Sequence, residues 1–388
     1  MDYDPRRIYT WEMGARLVFG AESSKQVGVR LRELGGSKAL VVTDKGIVKA
    51  GLLEGIQEAL RKAELPYEVF DEVEPNPSVP CVEKAFALYQ AGKCDCLLGL
   101  GGGSSMDTAK AVGVLATNPG KITDYEGMYK VKNPLPPFVA IPTTCGTGSE
   151  TTFMAVITDL DRKFKFAIGT PLNLPKVALI DPLLLVNLPG PIVASTGLDA
   201  LTHAVESFTN ANVQPVSDAL NIQAIRMIGK HLRGAVANGN LDDTAGMVLA
   251  SAIAGMAFTN TRLTIVHAMS HPVSAHAGVP HGIANAILLP YVMEFNLIGA
   301  PERFAEVAWA LGEDITGLSS MQGAELAVEA VRRLMIDVGI PLTLKAVGVT
   351  AEMIPVMSDD SMKSGNVPLN PRRVTRQDIV DIFTRALG

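Results

Sequence analysis

Residues 96–110 read Cys96-Leu97-Leu98-Gly99-Leu100-Gly101-Gly102-Gly103-Ser104-Ser105-Met106-Asp107-Thr108-Ala109-Lys110. The first five have the length and apolarity of a buried strand. Three consecutive glycines follow, where backbone amides can approach a ligand with no Cβ in the way. Ser104 or Ser105 is placed to cap a helix, and Asp107 to Ala116 carries helical spacing. Strand, glycine loop and helix N-terminus together make a cradle for a diphosphate, because unpaired amides and the positive end of the helix dipole face the same point. A tight βα turn with no ligand would share the glycines; the flanking strand and helix favour the phosphate reading.

Working outward, the same alternation of strand and helix recurs on both sides. Before the loop, Ala39 to Thr43 and Tyr67 to Phe70 read as strands. Gly46 to Ala63 reads as a helix stopped by Pro66, and Val79 to Ala91 as another after the Pro75-Asn76-Pro77 loop. After it, Phe138 to Pro142, Ala155 to Thr158 and Val177 to Ile180 read as strands. This pattern predicts an α/β domain with a largely parallel sheet. The loop Thr143-Thr144-Cys145-Gly146-Thr147-Gly148-Ser149-Glu150 offers hydroxyls and amides to a nucleotide from a second side. The common dinucleotide fingerprint, with an acid about 20 residues after its glycines, is not met. An acid stands earlier instead: Asp44, just past the Ala39 to Thr43 strand, either accepts from ribose hydroxyls or caps the helix after Gly46.

Asp181-Pro182 and Leu188-Pro189-Gly190-Pro191 mark a change of periodicity. Residues 1–187 are therefore expected to form the α/β dinucleotide-binding domain and residues 188–388 an all-helical one. Helices are expected at Val193 to Thr209, Pro215 to Leu232, Thr244 to Thr259, Thr261 to Ser270, Pro301 to Leu311, Ser320 to Val338 and Arg376 to Leu387.

Five of the six histidines fall between Gly197 and Gly282 in this second half. Asp199 and His203 are spaced i, i+4, which puts them on one helix face, and His267 and His271 repeat the spacing. His281 sits between Pro280 and Gly282, where a turn can aim its ring. One such pair is ordinarily a capping or surface contact. Two pairs and a turn inside an apolar segment are costly to bury unless a cation compensates. Carboxylate plus imidazoles suits a borderline divalent ion, iron or zinc, and needs no thiolate. A cleft between the two domains would hold both the cation and the dinucleotide.

The 388 residues are 47% hydrophobic and 19% charged, with a formal net charge of −6 and no basic run. That excludes the electrostatic footprint of a nucleic-acid binder and points to a small-molecule partner. No uninterrupted apolar run of about eighteen residues is present, and the first residues lack an apolar signal core. A cytoplasmic protein without a membrane partner is expected. Cys81, Cys94, Cys96 and Cys145 lack zinc-ribbon spacing and read as small buried hydrophobes.

GGGSSMDTAK, IPTTCGTGSETT, STGLDALTHAVESF and HAMSHPVSAHAGVPHG, in that order, resemble the iron-containing (group III) alcohol dehydrogenases, and the likeness runs to the NPRRVTRQDIVDIF tail. The resemblance implies an N-terminal nucleotide-binding domain, a helical C-terminal domain, and reversible hydride transfer between an alcohol or small diol and NAD. By position it puts the metal ligands, for Fe2+ or another divalent ion such as Zn2+, on Asp199, His203, His267 and His281. His271 becomes a non-ligand histidine near the nicotinamide. The diphosphate falls to Gly101, Gly102, Gly103 and Ser104, the rest of the nucleotide to Thr143, Thr144 and Thr147, with Lys165 nearby. Asp44 occupies the position that separates NAD from NADP. A homodimer or larger assembly is implied, and Ile8 to Phe19 carries strand-forming residues suited to pairing between subunits. Three rivals share parts of this reading: a zinc polyol or glycerol dehydrogenase, a lyase resembling dehydroquinate synthase, and a silent nucleotide-binding protein with a structural metal. The lyase needs more cations than Arg226, Lys230, Arg233 and Arg262, and the intact ligand set argues against silence.

Overall fold

The computed structural model describes residues 8–12, 14–162 and 164–388. Two compact units divide the chain: Glu12–Val186, and Asn187–Gly388 together with Met1–Trp11. The N-terminal segment is expected with the sheet; its described part, residues 8–11, instead belongs with the helices. Gln214 Nε2 donates to Thr10 O at 3.3 Å and ties it there.

The first unit contains, in chain order, β1 (Arg16–Phe19), α1 (Val27–Glu33), β2 (Ala39–Val42), α2 (Lys45–Lys49), α3 (Leu52–Lys62), β3 (Tyr67–Phe70), α4 (Val79–Ala91), β4 (Cys96–Gly101) and α5 (Gly103–Thr117). Then come β5 (Gly127–Met128), β6 (Phe138–Pro142), β7 (Met154–Asp159), β8 (Phe164–Gly169) and β9 (Val177–Ile180). Six strands form a parallel sheet in the order β1-β9-β6-β4-β2-β3. β2, β4, β6 and β9 are buried throughout, which is why they read as unbroken apolar runs: a parallel sheet is covered on both faces. Within β2 the faces still alternate. Leu40 and Val42 pack with Val82 and Met106 of α4 and α5, while Ala39 and Val41 pack with Leu31, Ile56 and Leu60 of α1 and α3.

That division of helices creates the functional edge. From β2 the chain leaves over one face to β3, and from β4 it leaves over the other to β6, so the crevice between the carboxyl ends of β2 and β4 is the topological switch point where open α/β sheets bind ligands. Asp44 follows β2, the glycine loop ends β4, and Thr143 follows β6; the parallel registers Val42 to Gly99 and Gly101 to Pro142 keep all three on one edge.

Three local expectations need correction. The helix expected over Gly46 to Ala63 is two helices, broken at Gly51, whose φ of 74° suits glycine. Neither Ser104 nor Ser105 caps α5; its N-cap is Gly102, without a side-chain bond. Ala155 to Thr158 lies not in the main sheet but in a smaller one, where β7 pairs antiparallel with β8 and β5 parallel with β8. Of the Ile8 to Phe19 segment, Met13 lies outside the described residues, and among those described β1 is an edge strand paired with β9 alone.

The second unit is helical: α6 (Gly190–Thr209), α7 (Pro215–Asn238), α8 (Leu241–Thr261), α9 (Ile265–Ala277), α10 (His281–Asn296), α11 (Pro301–Ala310), α12 (Ser320–Asp337), α13 (Ile354–Met362) and α14 (Arg376–Leu387). α10 and α13 are not among the helices expected above, and α9, expected from Thr261, starts later because Arg262, at φ 67°, breaks the chain between α8 and α9. α8 and His281–Gly299 are long and apolar enough to cross a membrane, but more than half of each is packed inside the unit; Ser251, Thr259 and Asn260 interrupt the first, and Asn285, Glu294 and Asn296 the second.

Candidate metal centre and nucleotide-binding edge

Three helices supply the candidate cation site. Asp199 and His203 stand one turn apart on α6, His267 and His271 one turn apart on α9, and His281 is the first residue of α10. The turn expected to aim His281 is thus a helix start after Pro280. Gly282 permits it: a Cβ there would meet Ser195 O at 2.5 Å, so only glycine lets α10 begin against α6.

Ligand atoms of Asp199, His203 and His267 lie within 4.8 Å of one another. Asp199 Oδ1 is 4.0 Å from His267 Nε2 and 3.9 Å from His281 Nε2. Phe258 stacks on the His203 ring at 4.4 Å, and His203 stacks on His267 at 4.7 Å. Asp199, His203 and His267 are buried, whereas the His281 side chain is 30% exposed, which leaves the set open on one side. Three imidazoles and one carboxylate, buried on one side and open on the other, are a donor set that could hold a borderline divalent ion.

Charge at the site follows from burial. Burial opposes the Asp199 carboxylate, but His203, His281, His267 and a bond from Asn285 outweigh it and hold the acid below its ordinary range. Burial, then the neighbouring His203, holds the His267 imidazole well below its usual value, so it stays neutral, as a metal ligand must.

Two further residues, Glu206 and Asn285, belong to the site without standing out in the sequence. Glu206, one turn beyond His203, is buried and accepts from His267 Nδ1. Its other oxygen accepts from Thr264 N at 3.2 Å, Thr264 Oγ1 at 2.5 Å and Val266 N at 2.7 Å. Burial pushes the Glu206 carboxyl up to about 7 against those bonds. A carboxylate on Nδ1 fixes the tautomer that presents the Nε2 lone pair. The signal was available, since an acid on the buried face of a ligand helix needs a partner. Asn285, i+4 from His281, is the second; its Nδ2 lies within 3.1 Å of Asp199, His267 and His281.

His271 sits at the rim, its ring 5.3 Å from that of His281 and 6.2 Å from that of His267. His276 stands apart from the cluster: its Nε2 lies 2.8 Å from Asp360 Oδ2 and links α9 to α13.

On the sheet edge, the glycine loop and the threonine loop close on each other. Thr143 N donates to Gly101 O at 3.0 Å. A Cβ on Gly103 would stand 3.1 Å from Thr147 Cγ2, and one on Gly102 3.4 Å from Thr144 Cγ2. Gly101, at φ 147°, would drive a Cβ into Ser105. Asp44 Oδ1 caps α2, accepting from Gly46 N at 2.8 Å and Ile47 N at 3.1 Å, while Oδ2 faces the Gly101 turn. Lys165 on β8 donates to Asn76 Oδ1 at 2.8 Å, and Asn76 N donates to Ser104 Oγ at 3.3 Å, so Asn76 links Lys165 to the cradle. Lys110, fully buried, donates to Ser149 O, Ser149 Oγ, Thr152 Oγ1 and Met154 O at 2.8 to 3.2 Å and pins the second loop to α5.

Residues 14–182 match the family described as iron-containing alcohol dehydrogenase, and residues 193–387 match its C-terminal part. The chain belongs to the iron-containing alcohol dehydrogenase family. It is 45% identical to the 1,3-propanediol dehydrogenase of Klebsiella pneumoniae over 95% of this chain and 96% of that protein. It is 42% identical to the NAD-dependent methanol dehydrogenase of Bacillus methanolicus over 95% of this chain and 97% of that protein. A solved 1,3-propanediol oxidoreductase superposes with a TM-score of 0.96 at 44% identity, covering 98% of this chain and 100% of that one. The protein is accordingly an oxidoreductase of the alcohol dehydrogenase type, and the lyase and silent-binder readings fall away.

Proposed function

We propose that this alcohol dehydrogenase interconverts a primary alcohol or small diol and its aldehyde, using NAD and one divalent ion, with Fe2+ its resident metal and Zn2+ an alternative. Asp199, His203, His267 and His281 would hold the ion. The observation that carries this is that ligand atoms of Asp199, His203 and His267 lie buried within 4.8 Å of one another, with the partly exposed His281 bringing Nε2 to 3.9 Å from Asp199 Oδ1, a donor set suited to a borderline cation. When bound, such an ion supplies Lewis-acid chemistry that lowers the pKa of an alcohol and polarises an aldehyde. Glu206 keeps His267 in the ligand tautomer, and the burial of Asp199 keeps out water that would screen its charge. His271, at the rim beside His281, is placed to take or return the hydroxyl proton.

The dinucleotide falls to the sheet edge. Amides of Gly101, Gly102, Gly103 and Ser104 at the start of α5 face a diphosphate, and the N-cap Gly102 brings no side-chain bond that would occupy them. Thr143, Thr144 and Thr147 line its other side, Lys165 lends charge through Asn76, and Asp44 Oδ2 accepts from the ribose. Hydride transfer itself is the chemistry of the nicotinamide. The names of the propanediol and methanol relatives support a small primary alcohol. None of the four cysteines is in a disulfide, which suits the cytoplasm, where NAD is drawn on. Assembly as a homodimer or larger is part of the proposal, with β1 as the unpaired edge; sedimentation as a monomer at micromolar concentration would contradict it.

The test follows absorbance at 340 nm with NAD or NADP, the protein depleted of metal or reconstituted anaerobically with Fe2+ or Zn2+, and a panel of primary alcohols, 1,2- and 1,3-diols and glycerol. Metal-dependent NADH formation with short alcohols or diols is expected. Turnover confined to glycerol and larger polyols would favour the polyol dehydrogenase, and no metal-dependent turnover in either direction would end the reading.

A further inference from the structure

Asn285 lies fully buried on α10, one turn after His281. Its Nδ2 is 2.6 Å from Asp199 Oδ1 and 3.1 Å from both His267 Nε2 and His281 Nε2. These are three of the four atoms whose lone pairs the ligand assignment directs at the cation. An amide nitrogen carries two hydrogens and cannot satisfy three acceptors together. Its position marks the point where the surrounding atoms call for positive charge. At the other end of the same amide, Oδ1 is buried without a hydrogen-bond partner, an acceptor desolvated with nothing to compensate it.

The two ends of the amide therefore have opposite uses. While no cation engages the lone pairs of Asp199, His267 and His281, an N–H donor facing them is attractive and a carbonyl oxygen there would be repelled. Once a cation engages them, the donor loses its acceptors and faces positive charge, whereas the carbonyl dipole would be attracted. A half-turn about the last side-chain torsion exchanges the two ends with almost no change of shape. We propose that Asn285 is a positioning residue of the metal centre: its two Nδ2 hydrogens, shared among Asp199, His267 and His281, offset the repulsion of their lone pairs before metal enters, and the amide turns over on loading, so that Oδ1 faces the cation. The proposal rests on the ligand set given under Proposed function. Asn285 thereby lowers the cost of gathering three electron-rich side chains and compensates the cation afterwards.

The experiment uses the full chain and Co2+, whose visible absorption reports its coordination. Wild type, Asn285→Asp and Asn285→Leu are compared for Co2+ affinity by competition with a chelator, for the Co2+ spectrum, and for Tm with and without metal. Asp has nearly the shape of Asn but presents oxygen at both ends. It should repel Asp199 when metal is removed, so metal-depleted Asn285→Asp should melt below metal-depleted wild type. Loaded, it should bind Co2+ about tenfold more tightly or better, with an altered spectrum. Asn285→Leu should weaken Co2+ by about tenfold or more and lose stability in both forms. Equal weakening by Asp and Leu, or no change of affinity and spectrum in either, would overturn the proposal and leave Asn285 a packing residue. A wild type that takes up no stoichiometric Co2+ would overturn the ligand set as well, which separates the two failures.

Discussion

His267 donates its Nδ1 proton to Glu206, and both side chains are buried where α6 meets the start of α9. The pair links a candidate ligand to a carboxylate that Thr264 and Val266 also hold from the backbone. Because the Glu206 carboxylate accepts all these bonds through its charge, removing the charge should loosen the ligand without removing it. Glu206→Gln is therefore expected to fold, and to weaken metal binding by about 10- to 100-fold. Chelator competition measures this; an affinity equal to wild type would leave Glu206 as packing alone.

His267→Ala should cost more, since it removes a ligand. The expected variant folds, as the parallel sheet of the first unit owes nothing to this residue, but retains no stoichiometric metal and has almost no turnover. Full metal content by elemental analysis would reject the ligand assignment.

His271→Ala tests the rim. With its ring 6.2 Å from that of His267, it should keep its metal, while turnover falls or the pH profile of kcat moves, because imidazole ordinarily titrates near neutrality. Rates and pH dependence identical to wild type would reduce His271 to a filler of space.

Asp44 has one oxygen on the α2 cap and the other toward the Gly101 turn. A carboxylate so fixed would meet the 2′-phosphate of NADP with like charge, so wild type should favour NAD by about 10- to 1,000-fold in kcat/KM, or about 1.4 to 4 kcal/mol. Asp44→Gly should recover most of the NADP use, at some cost to α2. A preference unchanged by the substitution would mean that Asp44 only caps its helix.

Glu150 supplies a pH test away from the metal. Burial pushes its carboxyl up to about 7, against its own backbone N–H and the charge of Lys110. An unfolded glutamate titrates near 4.3. The folded chain thus binds this proton more tightly, so the stability it contributes is full below about pH 4.5 and lost as pH rises through 7. Relative to wild type, Glu150→Gln should gain stability in urea between pH 5 and 7.5, since the amide keeps the shape and cannot ionise. A difference independent of pH would show that Glu150 does not titrate in this window.

Much was legible in the sequence because its physics is local. β4, β6 and β9 announce themselves as unbroken apolar runs, since strands covered on both faces have no polar side to show. The glycine loop after β4 states its own geometry, and the i, i+4 spacing of Asp199 with His203 puts them on one helical face wherever that helix goes. Family membership was legible for the same reason, in motifs each confined to a few turns of chain.

What the tertiary structure alone decided concerns partners distant in sequence. Nothing local to Gly282 says that its missing Cβ lets α10 begin on Ser195 O and bring His281 to Asp199. Nor does Glu206 reveal that its acceptor role is to His267, 61 positions on, or Asn285 that its amide meets three side chains from three helices. His276 shares the histidine run and the residue type, yet pairs with Asp360 on α13 instead of joining the cluster. Periodicity determines which face of a helix a residue occupies; which other faces it meets depends on the packing of whole helices, an energy summed over the entire core and written in no single stretch.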